Sequence, residues 1–88
     1  MITSANNITS QVQAKDLHFE GNMLHILLSD GREISVPIGQ MEWLKWLANA
    51  GPAQRMKWTI EPGGFAIYWE ELDDGIEIGH LLSMQPLV

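Results

Sequence analysis

Apolar and polar residues alternate through the first third of the chain, and this alternation predicts β-strands. In DLHFE, Leu17 and Phe19 fall on one face and the polar residues on the other. Gly21-Asn22 follows as a two-residue hairpin turn before a second strand, MLHILL. This turn places Phe19 opposite Leu24 and Leu17 opposite Ile26, so the apolar residues of both strands share a face.

The next turn, Ser29-Asp30-Gly31, decides how a third strand pairs with the second. A two-residue Asp-Gly turn would pair apolar with polar residues. A three-residue loop with Gly31 in the left-handed conformation instead pairs Ile26 with Ile34 and Leu24 with Val36. The sequence therefore predicts a bulged turn and a third strand from Arg32 to Ile38, which Pro37 ends or marks as an edge.

The apolar spacing changes in GQMEWLKWLANAG, where it becomes helical. Met41, Leu44, Leu47 and Ala48 lie on one predicted helix face, and Gly51-Pro52 is typical of a helix end. We expect one helix of about three turns, packed across a face of the sheet.

The pattern returns to strands in KWTIEPGGFAIYW, with Gly63-Gly64 as the turn. This register places Ile60 opposite Ile67 and Trp58 opposite Trp69. ELDDG is then a turn, IEI a short extended piece and HLLSM a final helical turn. The prediction is an α+β fold: an antiparallel β-meander of order β-β-β-α-β-β, with one helix packed on the sheet and a short C-terminal helical turn.

Length and composition fit a single domain. The chain has 88 residues, which we divide into a poorly ordered tail at 1–10 and one α+β domain at 11–88, with fraying expected at 85–88. It has no cysteine, no signal-peptide pattern at its start and no apolar run of about 20 residues. We therefore expect a cytoplasmic protein without membrane association.

The charge excludes one class of partner and favours another. The net charge is −6, and the five basic residues are scattered along the chain. Nucleic-acid binding depends on clustered Lys and Arg that neutralise phosphates, so no direct nucleic-acid binding is expected. A basic protein partner suits this charge better.

Acidic residues concentrate in EELDDGIE, and His80 follows them. Their spacing does not match a calcium-binding EF-hand loop. Turn residues flank them, so they are best interpreted as a solvated turn in which an aspartate bonds its own backbone. The alternative is a small-ligand or divalent-metal-binding domain that uses the acidic 70–77 segment. The carboxylates of this segment are Glu70, Glu71, Asp73, Asp74 and Glu77.

The sequence contains no other arrangement that predicts catalysis. No serine lies in a nucleophile elbow and no glycine-rich phosphate loop is present. His18 and His25 fall opposite each other in the predicted register, on the face away from the apolar residues, but no third metal ligand is predictable. We therefore expect no enzymatic activity, no catalytic or metal-ligating residues and no cofactor.

Four tryptophans are unusual in a chain of this length. Trp58 and Trp69 are predicted core residues. Trp43 and Trp46 either close the edge of the core or form an exposed aromatic patch that anchors a partner. A homodimer through that patch is a further alternative. The predicted partner-binding residues are Trp43, Trp46, Glu70, Glu71, Asp73 and Asp74.

Two long segments, LSDGREISVP and LANAGPAQRMKWTIEPGGFAIYWEELDDGIEIGHLL, resemble a small bacterial family called domain of unknown function 2442. The resemblance covers about residues 14–84. Each short motif is weak alone, and the order and spacing of the motifs together carry the resemblance. The chain departs from the family pattern at MEWLKW, where members of the family often have Tyr-Pro at the start of the helix. The matching positions are Asp30-Gly31, Ile34 to Pro37, Ala50, Arg55, Trp58, Gly63-Gly64, Ile67, Trp69, Leu72, Asp73-Asp74, Ile78 and Leu81-Leu82.

The resemblance implies a function of limited detail. The family has no established enzymatic activity, and similar domains occur alone or fused to a helix-turn-helix domain. They are often encoded beside another small protein, in pairs that look like toxin–antitoxin modules. The resemblance thus implies a non-catalytic interaction module, the antitoxin-like or regulatory half of a two-gene pair, whose protein partner is encoded by an adjacent gene.

Overall fold

The strands form two three-stranded antiparallel sheets, in a computed structural model that describes residues 12–83. The predicted α+β class and antiparallel strand order are confirmed. The expectations for residues 1–10 and 85–88 lie outside the described residues. The first sheet contains β1 (Ala14–Glu20), β2 (Met23–Leu28) and β3 (Glu33–Pro37), and the second contains β4 (Trp58–Ile60), β5 (Ala66–Trp69) and β6 (Asp74–Glu77).

The register of the first sheet matches the prediction. Leu17 pairs with Ile26, and Ile26 in turn pairs with Ile34. Gly31 has a φ of 91°, so the turn before β3 uses the positive φ that the bulged loop requires. One face of this sheet therefore collects the aliphatic side chains, while His18 and His25 pair on the other.

The second sheet has the predicted pairing of β4 with β5, and a third strand in addition. Trp58 pairs with Trp69 and Ile60 with Ile67. β6 extends the short segment predicted around Ile76 into a full strand beside β5. It begins directly after Asp73, whose φ of 51° reverses the chain at the end of a 3-10 turn, Glu70–Leu72.

The prediction of a single helix of about three turns is wrong. The connection between the sheets instead contains 3-10 turns at Ile38–Gln40 and Glu42–Leu44, then α-helices at Lys45–Ala48 and Pro52–Arg55. Met41 is extended, with φ −108° and ψ 120°, and this interrupts the helical path. Apolar spacing alone does not reveal such breaks, because short turns can also bury one residue each.

Gly51-Pro52 begins a helix as well as ending one. Proline fits the first helical position, where its missing N–H costs no intrahelical bond. The Gly51 N–H donates to Oε1 of Gln54 at 3.1 Å, which satisfies a donor at this helix start. The result is a short helix whose last residue, Arg55, extends its side chain back over the Lys45–Ala48 helix.

One apolar cluster joins the sheets, the connecting turns and the Ile78–Ser83 helix. Trp69 is its largest fully buried side chain, and Leu44, Leu47, Ile78 and Leu81 enter it from the helical elements. No polar or charged residue is buried among the residues described, and none of the described helices is long and apolar enough to span a membrane.

Candidate functional site

The acidic turn, defined here as Glu70, Glu71, Asp73 and Asp74, is exposed at one edge of the second sheet. Its carboxylates are engaged in different local contacts. Glu71 accepts from Lys57 Nζ at 2.8 Å, and Asp74 accepts from the Gly75 N–H at 2.8 Å. The second contact matches the backbone bond predicted for an aspartate ahead of Gly75. These carboxylates therefore face separate partners rather than one shared ligand position.

Tyr68 lies on the outer face of β5 and shows how negative this edge is. Its hydroxyl donates to Oδ1 of Asp73 at 2.7 Å. That hydrogen bond raises the pKa of Tyr68, and partial desolvation and the nearby charges of Asp73, Glu70 and Glu61 raise the pKa further. Three carboxylates thus act on one hydroxyl, which indicates a concentrated negative potential on this face.

Lys57 partly offsets that potential. Its hydrogen bond to Glu71, followed by charge attraction, raises the pKa of Lys57. Both side chains are exposed, at 61% and 46%, so the ion pair is well screened and adds little to stability. Both groups remain accessible to a partner.

Trp46 is half-buried and connects the core to the acidic turn. Its ring contacts Trp69 edge-to-face, with centroids 5.7 Å apart, and its N–H donates to the Trp43 carbonyl at 2.9 Å. Trp69 is followed directly by Glu70. Trp46 thus helps close the edge of the core and stays partly exposed, and its link to the acidic turn runs through Trp69.

Trp43 is also half-buried, but it contacts a different element. It packs edge-to-face against His80 of the Ile78–Ser83 helix, with centroids 4.7 Å apart. Its Nε1 is buried without a hydrogen-bond partner among residues 12–83. Trp43 and Trp46 are thus both half-buried and pack against different elements, and their predicted role in partner binding stays a prediction.

Arg55 is the most connected polar side chain described, and sequence reasoning did not select it as a site residue. Its guanidinium donates to the carbonyls of Leu47, Ala48 and Gly21 and to Oδ1 of Asn22, at 2.7 to 3.3 Å. It thereby covers the carbonyl end of the Lys45–Ala48 helix and holds the β1–β2 turn. Its place in the family motif was the available signal.

A shallow groove of about 320 Å³ lies beside Arg55. It is lined by Phe19, Gly21, Pro52, Arg55 and Met56. The guanidinium lies over the Phe19 ring at 5.7 Å from its centroid, and Met56 is 66% exposed. Met56 is followed by Lys57, so this apolar side chain adjoins the contact between Lys57 and Glu71 along the chain.

The histidines on the outer face of the first sheet adopt the predicted pairing. The rings of His18 and His25 stack with centroids 4.8 Å apart and an interplanar angle of 26°. His25 also contacts Glu20 through Nε2 at 3.1 Å and Ser35 through Nδ1 at 2.8 Å. The sequence pattern did not predict this contact between His25 and Glu20.

As the side chains lie in this structure, no group of three or more His, Asp or Glu residues within residues 12–83 is arranged to hold a metal ion. In the acidic 70–77 segment this agrees with the separate contacts of Glu71, Asp73 and Asp74. His80 is engaged with Trp43 instead. The remaining candidate residues for binding are Trp46, which is half-buried, and Met56 and the acidic turn, which are exposed.

A family model gives the classification. Residues 14–83 match the model described as protein of unknown function (DUF2442). The chain belongs to this family. The resemblance seen in the sequence is thereby confirmed, and the spans agree closely. No curated protein matches the DUF2442 chain.

Two solved structures share the fold of this DUF2442 domain. One is a crystal structure of a protein of unknown function from Rhodospirillum rubrum, with TM-score 0.68, 19% identity, and coverage of 82% of this chain and 86% of that chain. The other is a solution structure of an uncharacterised protein from Chromobacterium violaceum, with TM-score 0.68, 17% identity, and coverage of 93% and 79%. These similarities establish the fold alone.

Proposed function

We propose that this DUF2442 domain is a non-catalytic, cytoplasmic protein-interaction module that binds a basic protein partner. The supporting observation is a set of residues that we call the acidic edge: Trp46, Met56 and the acidic turn, which are linked through Trp69, Arg55 and Lys57. It combines a half-buried aromatic, a strongly exposed apolar side chain and exposed carboxylates. Such a mixture of apolar anchor and charged rim is typical of protein-binding surfaces.

The parts of the acidic edge are linked by contacts. Trp46 packs on Trp69, whose indole N–H donates to the Arg55 carbonyl at 3.0 Å. Met56 follows Arg55, and Lys57 then contacts Glu71. A chain of contacts and neighbouring residues therefore connects Trp46 and Met56 to Glu71 of the acidic turn.

The negative charge of the chain favours a basic protein partner. The chain carries −6 overall, and the carboxylates around Tyr68 concentrate negative potential at this edge. A partner with clustered Lys or Arg gains in association rate from that potential, and the apolar contacts slow its dissociation. The two-gene arrangement implied by the family resemblance makes the product of the adjacent gene the first partner to test, as the other half of an antitoxin-like or regulatory pair.

The test is binding of the purified adjacent-gene product, measured by calorimetry at two salt concentrations. We expect a complex that weakens with salt. The variant Glu70→Gln/Asp73→Asn/Asp74→Asn should weaken it by about tenfold or more. Asp16→Asn/Glu33→Gln/Glu42→Gln removes the same charge from exposed positions elsewhere and serves as the matched control.

A complex that loses affinity equally in both triple variants would show attraction to net charge rather than to the acidic edge. Absence of a complex at about 100 μM of each protein would refute this partner. Met56→Gln removes the apolar side chain without changing the charge, and we expect it to raise the dissociation rate while leaving the fold intact, because Met56 is exposed.

A further inference from the structure

The outer face of the first sheet presents three metal-ligating side chains at the β1–β2 hairpin. His18 and Glu20 are two residues apart on β1, so they point to the same side of the sheet. His25 lies directly opposite His18 on β2. The exposed fraction is 15% for the His25 side chain and 80% for that of Glu20.

We propose that His18, His25 and Glu20 bind a divalent late transition metal, of which Zn²⁺ is the representative ion. Two imidazole nitrogens and one carboxylate oxygen form a donor set that such ions accept, with water completing the coordination. This site is distinct from the acidic edge and does not depend on the function proposed for it. It lies on the other sheet and uses other residues.

The contact between His25 and Glu20 already has the spacing of two ligands on one ion. Nε2 of His25 and Oε1 of Glu20 are 3.1 Å apart. With metal–ligand bonds of about 2.1 Å, two donors at that separation subtend an angle of about 95°, and a small outward movement reaches the tetrahedral angle. A metal ion bound by both atoms would lie to one side of the line between them, so binding requires the His25 ring and the Glu20 carboxylate to turn toward the ion.

His18 completes the site by rotating its ring. It now stacks on His25, so its nitrogens do not converge with those of its neighbour. His18 is exposed, and rotation about its side-chain bonds needs no displacement of core residues. The cross-strand pairing keeps the two β-carbons close enough for both rings to reach one ion.

Ser35 fixes the ring nitrogen that faces the metal. Its Oγ lies 2.8 Å from Nδ1 of His25, and a hydroxyl can either donate or accept. Without metal, Nε2–H donates to Glu20 and Ser35 donates to Nδ1. With metal, Nδ1 carries the proton and donates to Ser35, which leaves the Nε2 lone pair for the ion. This is the supporting hydrogen bond that metal-bound histidines commonly make.

The donor set also discriminates among cations. Mg²⁺ and Ca²⁺ prefer six or more oxygen ligands, so a site with two imidazoles binds them poorly. Zn²⁺, Ni²⁺ and Cu²⁺ favour imidazole nitrogen. We therefore expect Zn²⁺ to bind where Mg²⁺ at the same concentration does not.

The experiment is calorimetric titration of the full chain with ZnCl₂ and with MgCl₂. We expect one Zn²⁺ per chain, and a loss of affinity of about tenfold or more in each of His18→Asn, His25→Asn and Glu20→Gln. The chain has three histidines, so His80→Asn is the matched control and should change the affinity by less than about twofold.

Nitrogen NMR of the imidazole rings provides a readout independent of affinity. We expect Zn²⁺ to shift Nε2 of His25 toward the coordinated position while Nδ1 becomes protonated, and Ser35→Ala to weaken that tautomer preference. The proposal is overturned if no heat and no shift appear at about 1 mM Zn²⁺. It is equally overturned if His80→Asn reduces binding as much as His18→Asn does.

Discussion

The two sheets have the same strand number and the same antiparallel order, but they are stabilised differently. The first sheet packs aliphatic residues such as Leu24 and Ile26 across short hairpins. The second places Trp69 at its centre and binds it to the connecting segment, through Trp46 and through the Arg55 carbonyl. The first sheet is thus largely a local structure, whereas the second depends on residues that precede it in the chain.

This difference gives the connecting segment a structural role beyond linking two sheets. Arg55 accepts from Trp69 through its carbonyl and donates to Gly21 and Asn22 through its guanidinium. One residue therefore contacts the central strand of the second sheet and the first hairpin of the other. We expect changes around Trp69 and Arg55 to separate the sheets more than changes within the first sheet do.

The largest effect is expected for Trp69→Ala, which removes the aromatic centre of the second sheet. Trp69 is fully buried, so its loss should lower the free energy of unfolding by about 3–5 kcal/mol, measured by urea denaturation. Trp69→Phe keeps most of the volume and loses the N–H bond to Arg55, and it should cost less. In the first sheet, Ile26→Val should cost only about 1 kcal/mol. Equal costs for Trp69→Ala and Ile26→Val would contradict the comparison.

The second effect concerns the guanidinium of Arg55. Arg55→Ala leaves the carbonyls of Leu47, Ala48 and Gly21 without this donor, and we expect a loss of about 2–3 kcal/mol in the same denaturation assay. Arg55→Lys keeps the charge but cannot donate in several directions from one plane, so it should recover only part of the loss. Full recovery with lysine would mean that charge alone matters.

The third effect tests the close approach of β6 to β5. A Cβ at Gly75 would lie 2.6 Å from the Ile67 carbonyl oxygen and 3.3 Å from Cδ1 of Tyr68, so Gly75→Ala must push the strands apart. We expect a cost of about 1–3 kcal/mol. Gly79→Ala is the control, because a Cβ there meets nothing within 4 Å and the residue is helical. Alanine should leave that helix unchanged or stabilise it by up to about 1 kcal/mol.

The smallest effect is electrostatic and is confined to the outer face of the second sheet. Tyr68 is the single tyrosine of the chain, so its ionisation can be followed by tyrosinate absorbance. We expect a pKa above the usual value, because the un-ionised hydroxyl donates to Asp73, and we expect Asp73→Asn to lower it. A titration unchanged by Asp73→Asn would refute the contact.

This shift also gives a pH dependence. Folding raises the pKa of Tyr68, so the contact with Asp73 contributes stability below pH about 10, and that contribution is lost as the pH rises through the folded-state pKa. Tyr68→Phe should remove this alkaline dependence from the unfolding curve. The same substitution should leave the first sheet unaffected.

The strands could be predicted from the sequence because their pairing has a period of two and tight turns. Pairing Ile26 with Ile34 left one consistent register, and a shift by one residue would have exposed the whole apolar face. The connecting segment could not be predicted in the same way. Leu44 and Leu47 fit a continuous helix, but the extended backbone at Met41 depends on packing that periodicity does not describe.

Prediction from the sequence was limited in the same way at the candidate site. Exposure of Glu70, Glu71, Asp73 and Asp74 followed from turn residues, because turns face water. The contacts of Arg55 cross more than thirty residues of sequence, to Gly21 and Asn22, and no local pattern signals them. Strand alternation places Glu20 on the same face as His18, but it does not show that the Glu20 side chain extends diagonally to His25 on β2.

The bond between Ala14 and Gly64 affects how the protein behaves when concentrated. The Ala14 N–H, on the side of β1 away from β2, donates to the Gly64 carbonyl at 2.7 Å. A Cβ at Gly64 would lie 2.7 Å from Cβ of Gln13, so the two backbones pass in close contact. The start of β1 is therefore occupied by the protein's own turn and cannot serve as a template for an added strand. This arrangement opposes edge-to-edge aggregation, a hazard for small β-rich domains.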